Sequence, residues 1–144
     1  MASLNSARAK ARDVKRLEDM HTLQTAINMY QNDNSGNYPP VMASEWGDWG
    51  SSRWDLSDVN LFMPNLIPTY IPSKIIDPIN NNAHDYSYYK FGSGGNLDDP
   101  TDSYYYNCPA STKAVLVFIP ENGVKNNGNM VICGNNAQQC VCMN

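Results

Sequence analysis

Four cysteines in the last third of the chain are the residues whose type and spacing could do chemistry most directly. They are Cys108, Cys133, Cys140 and Cys142, with intervening gaps of 24, 6 and 1 residues. These gaps do not match the paired C-x₂₋₄-C knuckles that tetrahedral zinc requires. An even number of cysteines in a small, Asn-rich chain favours two disulfides and an oxidising compartment, with free buried thiols as the next alternative.

The four cysteines allow three pairings. A direct Cys140–Cys142 bridge would be strained, because strand neighbours two residues apart have Cα atoms about 6–7 Å apart on one face. Each of these two cysteines must therefore reach a different partner. Of the pairings that remain, we favour Cys133–Cys140 closing a hairpin and Cys108–Cys142 tying the C-terminus to the body.

A cluster of carboxylates could bind a cation. Asp98, Asp99 and Asp102, with Asn96 and nearby carbonyls, could supply oxygens to Ca²⁺, which prefers six to eight of them. The spacing does not match the EF-hand loop. A turn with solvated acids is the alternative, so calcium is a possible ligand and we expect no other cofactor.

Aromatic residues form two groups that could contact a ligand. Trp46, Trp49 and Trp54 lie among glycines and serines, and Tyr104–Tyr106 are consecutive. They could form a platform for carbohydrate or a protein partner, or they could cover the edge of a small core. The first interpretation supports an alternative function, a secreted non-catalytic binding module.

Motifs for catalysis are lacking. His21 and His84 belong to no H-E-x-x-H arrangement, and there is no G-x-S-x-G elbow. The stretch Gly92-Ser93-Gly94-Gly95 precedes acids instead of the Gly-Lys-Ser/Thr of a phosphate loop. We therefore expect no catalytic residues and no enzyme.

The charge of the chain is split between a short basic start and an acidic body. Residues 1–16 contain five basic residues and one acid, and residues 17–144 contain five basic and thirteen acidic residues. An acidic body repels nucleic acid, so we expect no nucleic-acid partner for the domain. The longest apolar run, residues 114–119, is far short of the ~20 residues that cross a bilayer.

Residue patterns predict one domain over residues 1–144, with a helix in 1–32, a loop in 33–78, and a sheet with C-terminal loops in 79–144. Good helix formers without Pro or Gly run from Leu4 to about Gln31, and turn formers follow. The first three or four helical turns have no apolar face, so we expect them to project from the body. A stripe for docking begins only at Val14 and continues through Leu17, Met20, Leu23, Ile27 and Tyr30.

Shorter elements are predicted farther along. Ser57 or Asp58 can cap a short helix to Phe62 that Pro64 ends. After Pro78 the period changes to two, which predicts strands at residues 86–91, 103–107, 114–119, 130–133 and 140–143. A long N-terminal helix packed on an antiparallel meander is an α+β fold.

Two stretches resemble type IV pilins and the pseudopilins of type II secretion. The first runs from Ala7-Arg8-Ala9-Lys10-Ala11-Arg12-Asp13 through the amphipathic residues 17–30 to Asp33-Asn34…Gly36-Asn37-Tyr38-Pro39. The second is Tyr70-Ile71-Pro72…Ile76-Asp77-Pro78, followed by Tyr86-Ser87-Tyr88-Tyr89. Together they cover about half the chain and are similar to the helix end and the loop-to-first-strand passage of major pseudopilins.

The resemblance implies a pilin-like fold with an αβ-loop and a disulfide-tied C-terminal region. It also implies a structural subunit of a pilus or pseudopilus filament, assembled by packing of N-terminal helices. Pilins begin with a basic leader and an apolar membrane helix, which this sequence lacks, so we expect a truncation upstream of Ala2. Calcium is common in the C-terminal loop of the major pseudopilins.

The resemblance also implies partners and a location. The partners would be further copies of the chain, other pilins and assembly-platform proteins, with the inner membrane reached through the missing helix. The subunit would lie in the bacterial inner membrane before assembly, and afterwards in a periplasmic pseudopilus or an extracellular pilus. Charges that would pair with neighbouring subunits, or lie near anionic lipid before assembly, are Arg8, Lys10, Arg12, Asp13, Lys15 and Arg16. The alternative for these residues is a solvated helix face.

Overall fold

One long helix packs on an antiparallel sheet in the computed structural model. It describes residues 2–41, 55–57, 62–81, 83–91, 107–109, 111–123, 130–133 and 138–144. Helix α1 spans Ala2–Asp33, in agreement with the predicted helix. It ends where Ser35 and Gly36 adopt positive φ and the Gly36 N–H donates to the Gln31 carbonyl at 2.8 Å. The left-handed conformation of these two residues stops the helix, and glycine adopts it without strain.

Within the described residues, the sheet contains five antiparallel strands. They are β1 (Asp55–Leu56), β2 (Ser87–Lys90), β3 (Ala114–Phe118), β4 (Met130–Cys133) and β5 (Gln138–Met143), and their order across the sheet is β1-β2-β3-β5-β4. The α+β prediction is confirmed, but the predicted meander is wrong, because β3 pairs with β5 and not with β4. The six-residue strand β5 lies in the interior of the sheet and is almost wholly buried there, whereas the half-exposed β4 lies at the edge.

Two other predicted elements are described only in part. Ser57 lies in a turn directly after β1 and Phe62 lies in a bend, but residues 58–61 lie outside the described part, so the short helix between them stays a prediction. Pro64, the predicted end of that helix, begins a 3₁₀ turn over Pro64–Leu66, which suits the fixed φ and missing N–H of proline at a first helical position. The strand predicted at 103–107 lies outside the described residues except for Asn107, which is in a turn.

The two faces of the sheet bury different clusters. On one face, Tyr86, Leu116 and Val141 pack against Leu23 and Ile27 of α1. On the other face, Tyr89, Val115 and Val117 pack with all four cysteines. Strand β3 is buried on both faces, which explains its continuous apolar sequence.

Two disulfides tie this second cluster together. Cys108 is bonded to Cys142, with Cα atoms 5.7 Å apart, and Cys133 to Cys140, with Cα atoms 5.9 Å apart. The favoured pairing is therefore confirmed. The Cys133–Cys140 bridge joins the neighbouring strands β4 and β5.

The apolar stripe of α1 is shorter than predicted. Met20, Leu23 and Ile27 are buried, but Val14 is 56% exposed and Leu17 is 42% exposed. The two upstream positions that face the body are Arg16 and Asp19, and both are buried. The first half of the helix is therefore attached through charged groups, because its body-facing side carries no large apolar residue.

Candidate functional site

Helix α1 divides into three parts according to what it touches. Residues 20–27 supply its buried apolar contacts, and residues 12–19 bind the body through charged side chains. In residues 3–11 every side chain is exposed except the half-buried Ala9. Residues 12–19 fix the direction in which the exposed residues 3–11 extend from the body. We therefore take residues 12–19 and their partners as the candidate functional site.

Arg16 is the centre of this site. Its side chain is 0% exposed, and it donates from Nε to Asp77 Oδ2 at 2.6 Å and from Nη2 to Asp77 Oδ1 at 3.0 Å. Its Nη1 donates to Asp13 Oδ1 at 2.7 Å and to Glu121 Oε1 at 2.9 Å. A planar guanidinium is suited to such paired contacts, because its five donors are fixed in a fork. We call Arg12, Asp13, Arg16, Asp77 and Glu121 the Arg16 cluster.

Glu121 and Asp13 join the helix to the segment after β3. Arg12 donates from Nε and Nη2 to the two Glu121 oxygens, both at 2.6 Å. Asp13 accepts the backbone N–H groups of Glu121 and Asn122, each at 2.9 Å, and the Asn122 side-chain amide at 2.7 Å. Helix α1 therefore supplies the Asp13 carboxylate to donors of the segment after β3, and that segment supplies the Glu121 carboxylate to donors of α1. These reciprocal contacts fix the position of α1 relative to that segment.

A second buried carboxylate lies one turn farther along. Asp19 Oδ2 accepts a hydrogen bond from the Tyr86 hydroxyl at 2.9 Å, and its Oδ1 pairs with Lys15. Tyr86 is fully buried and begins the passage into β2. Asp19 thus continues the polar contact from the Arg16 cluster to the start of the apolar core.

Two acids of this site, Glu121 and Asp13, are held in their charged forms. Hydrogen bonds from Arg12 lower the pKa of Glu121 to about 2, against the opposing effect of burial. Burial raises the pKa of Asp13, but hydrogen bonds from Glu121, Asn122 and Arg16 outweigh it, so the pKa is lowered. Burial and the bond to Asp19 raise the pKa of the Tyr86 hydroxyl, which stays protonated and donates.

This arrangement is suited to holding a helix and not to moving protons or electrons. Three of its acids, Asp13, Asp77 and Glu121, are satisfied by guanidinium or backbone donors, and Asp19 by Lys15 and Tyr86. Burying charges is expensive unless each is paired and hydrogen-bonded, and removing one partner leaves an uncompensated charge. The site therefore couples the direction of α1 to the positions of two distant segments.

A shallow apolar groove lies beside the Arg16 cluster. It has a volume of about 560 Å³, and its apolar lining comes from Val14, Leu17, Phe118, Pro120 and Met130. Lys10, Asp13, Asn122 and Gln139 also line it. We call this the α1 groove, since the exposed side chains of α1 form one wall.

The structure separates the six charges expected to act in assembly. Arg12, Asp13 and Arg16 are engaged within the chain, and Lys15 pairs with Asp19 while remaining mostly exposed. Arg8 and Lys10 are exposed and make no ion pair with any described residue. Of these six residues, Arg8 and Lys10 alone carry a charge that no described residue engages.

Sequence reasoning missed two of the acids that accept hydrogen bonds from Arg12 and Arg16, namely Asp77 and Glu121. Asp77 lies 61 residues from Arg16, and Glu121 lies 105 residues from it. Asp77 belongs to the Ile76-Asp77-Pro78 stretch that carries part of the resemblance, which is the one sequence feature pointing to it. Glu121 has no comparable motif.

Several candidate residues lie outside the described part of the structure. They are the possible calcium ligands Asp98, Asp99 and Asp102, and the aromatic groups Trp46, Trp49, Trp54 and Tyr104–Tyr106. Among the residues that are described, no group of three or more His, Cys, Asp or Glu side chains is arranged to hold a metal ion.

Within the described residues, no helix has the length and apolarity needed to cross a membrane. Comparison with protein-family models, with curated proteins and with solved structures gives no match.

Proposed function

We propose that the chain is a non-catalytic structural subunit of a filament of the type IV pilus or type II secretion pseudopilus kind. The observation that carries this proposal is the division of α1 into residues 12–27, which are attached to the body, and residues 3–11, which are exposed except for Ala9. An exposed helical segment without apolar cover is marginal in water, so it needs a neighbour to pack against. The two stretches that resemble pilins and pseudopilins support the same proposal.

The Arg16 cluster has a definite role in this function. A filament subunit must present its helix at one angle, because small errors in direction accumulate along a polymer. Buried ion pairs are demanding in geometry, and one attested use of such groups is to specify a single arrangement. In the proposed filament Arg12, Asp13 and Arg16 set the helix direction, while Arg8 and Lys10 contact neighbouring subunits or anionic lipid.

The remaining parts of the proposal follow from the family resemblance. A longer natural protein would carry an apolar helix upstream of Ala2, inserted in the bacterial inner membrane before assembly. Its partners would be further copies, other pilins and assembly-platform proteins. Calcium at Asp98, Asp99 and Asp102 is an optional ligand of this filament subunit.

The upstream coding sequence gives the sharpest test. A basic leader, a processing site and an apolar helix directly before Ala2 are expected. A cleavable secretion signal in that place would contradict the proposal and favour a secreted binding module that uses the Trp and Tyr groups.

Electron microscopy of the complete protein in its host provides the second test. Antibody against the 144-residue chain should label filaments when the protein is overproduced. Replacing the exposed Arg8 and Lys10 by Glu should reduce the number of filaments. Lys113→Glu, at an exposed site directly before β3, should not. Labelling of a dispersed protein without filaments would argue against the structural role.

A further inference from the structure

Asn122 and Gly123 both have structural roles in the segment that binds helix α1. Asn122 is exposed, and its side-chain amide donates from Nδ2 to Asp13 Oδ2 at 2.7 Å. Its backbone N–H donates to the same oxygen at 2.9 Å. Gly123 has a φ of +82°, a left-handed conformation that strains a residue with a Cβ. The segment therefore needs glycine directly after the asparagine that holds Asp13.

An exposed Asn-Gly pair is chemically labile in water. The Gly123 nitrogen can attack the Asn122 Cγ, because glycine has no side chain to obstruct the approach, and no described atom lies within 4 Å of where a Cβ would stand at 123. The bond from this nitrogen to Cγ forms, the Cγ–Nδ2 bond breaks, and ammonia leaves with the proton of the Gly123 N–H. Water then opens the succinimide ring at one of its two carbonyls, which gives aspartate or isoaspartate at position 122. Water is the sole co-reactant, and nothing is oxidised or reduced.

The surroundings of Asn122 are unfavourable for a new negative charge. The Arg16 cluster already contains three carboxylates and two guanidinium groups. Hydrogen bonds keep the pKa of Asp13 low, so its carboxylate is charged. An oxygen in place of Nδ2 would face Asp13 Oδ2, and an attraction between donor and acceptor would become a repulsion between like charges. Lys10 also lines the α1 groove, but it is exposed, and an exposed ion pair contributes little.

We propose that Asn122 is a deamidation site, and that its conversion to aspartate or isoaspartate weakens the attachment of residues 12–19 of α1 to the segment after β3. The aspartate product loses the hydrogen bond from Nδ2. The isoaspartate product also lengthens the backbone by one carbon within residue 122, whose N–H binds Asp13. Arg16 keeps its two bonds to Asp77 in either product, so the chain stays folded while this one contact weakens.

The modification is irreversible, so the modified fraction grows with the age of the chain. Ring closure turns the Asn122 side chain toward its own backbone, which breaks the bond from Nδ2 to Asp13. A hydrogen bond to a charged acceptor should slow this step about tenfold to hundredfold relative to the unfolded chain. The reaction needs only this chain and water, whether or not the chain assembles.

Peptide mapping of aged protein tests the reaction. The 144-residue chain carries Asn127→Gln, which removes the second Asn-Gly pair of the sequence, and is incubated in neutral buffer. Mass spectrometry should show amide converted to carboxyl at position 122, with aspartate and isoaspartate products that separate in chromatography. The same chain unfolded in urea gives the reference rate, and native conversion should be about tenfold to hundredfold slower. A native rate more than about a thousandfold below the rate in urea would overturn the proposal, because the contact with Asp13 would then protect Asn122.

Hydrogen exchange measures the consequence for α1. Asn122→Asp reproduces the aspartate product. Asn5→Asp is the matched control, because it makes the same charge change at an exposed position without a side-chain hydrogen bond to a described residue. Amide exchange in residues 12–19 should be at least about tenfold faster in Asn122→Asp, as expected when a hydrogen bond to a charged group is lost. Exchange in residues 20–27, which are held by apolar packing, should be unchanged, and the control should change neither peptide.

The aged protein provides a second measurement that needs no substitution at position 122. Its deamidated fraction carries one more negative charge, so anion exchange separates it from the unmodified chain. Exchange in residues 12–19 should be faster in this fraction as well. If exchange there is the same in the unmodified chain, the deamidated fraction and Asn122→Asp, the proposal is overturned.

Discussion

Arg16 on helix α1 is completely buried and donates two hydrogen bonds to Asp77, a residue 61 positions later in the segment that leads to the sheet. The same guanidinium also reaches Asp13 and Glu121. A single side chain therefore joins the helix to the segment before β2 and to the segment after β3. The first half of α1 is held by this polar contact, whereas the second half is held by apolar packing.

Removing the Arg16 side-chain charge should destabilise the fold strongly. Arg16→Met leaves Asp77 buried without its cation, which should lower the free energy of unfolding by about 3–5 kcal/mol. Arg8→Met is the matched control, and its effect should stay within about 0.5 kcal/mol because Arg8 is exposed. Urea denaturation followed by circular dichroism measures both variants. Adding Asp77→Asn to Arg16→Met should recover part of the lost free energy of unfolding. If the double variant is instead destabilised further, the pairing of Arg16 with Asp77 is contradicted.

The free energy of unfolding should fall in acid, because Glu121 and Asp13 become protonated and lose their ionic contacts. Both have folded pKa values below their ordinary values, and that of Glu121 is about 2. Such a group contributes stability above its unfolded pKa of about 4.3 for Glu, and the contribution is lost as the pH falls toward the folded pKa. The free energy of unfolding should therefore decrease from pH 5 to pH 2. Glu121→Gln should be less stable at pH 7 and should flatten this decrease; an unchanged slope would exclude the Glu121 contribution.

Two identical substitutions on one helix should have very different effects. Leu23 is fully buried in the core, whereas Leu17 is 42% exposed. Leu23→Ala should cost about 2–5 kcal/mol, because it removes buried methyl groups and leaves a cavity. Leu17→Ala should cost less than about 1 kcal/mol. Thermal and urea unfolding distinguish the two; equal losses would mean that the apolar stripe extends to Leu17 after all.

The two disulfides should contribute differently to the free energy of unfolding. Cys108–Cys142 closes a loop with a sequence separation of 34, and Cys133–Cys140 closes one with a separation of 7. Loop-closure entropy then predicts losses of about 4 and about 2.5 kcal/mol when each pair is replaced by serine. Unfolding of the two double variants measures this difference. A larger loss for the Cys133–Cys140 pair would contradict this prediction. It would mean that the pairing of β4 with β5 depends chiefly on that bridge.

Much of the fold could be predicted from local patterns. Helix α1, strand β4 and most of β3 follow from helix propensity and from apolar runs bounded by turn residues, because these depend on neighbours in the chain. The disulfide pairing was partly predictable, since Cα atoms about 6–7 Å apart on one strand make a direct Cys140–Cys142 bridge strained and leave two pairings. These features are local, and short-range chemistry specifies them.

The sheet order and the Arg16 cluster depended on tertiary structure. Nothing local to β3 indicates that it pairs with β5 and leaves β4 at the edge, since that choice is made by burial across the whole sheet. Likewise Arg12 and Arg16 look like solvated helix cations, and only folding brings Asp77 and Glu121 to them from distant segments. The sequence by itself determined the long helix and most of the strands and reduced the disulfides to two possible pairings. The packing of those elements decided the pairing, the place of β1 (Asp55–Leu56) in the sheet, and which charges are buried and which remain free.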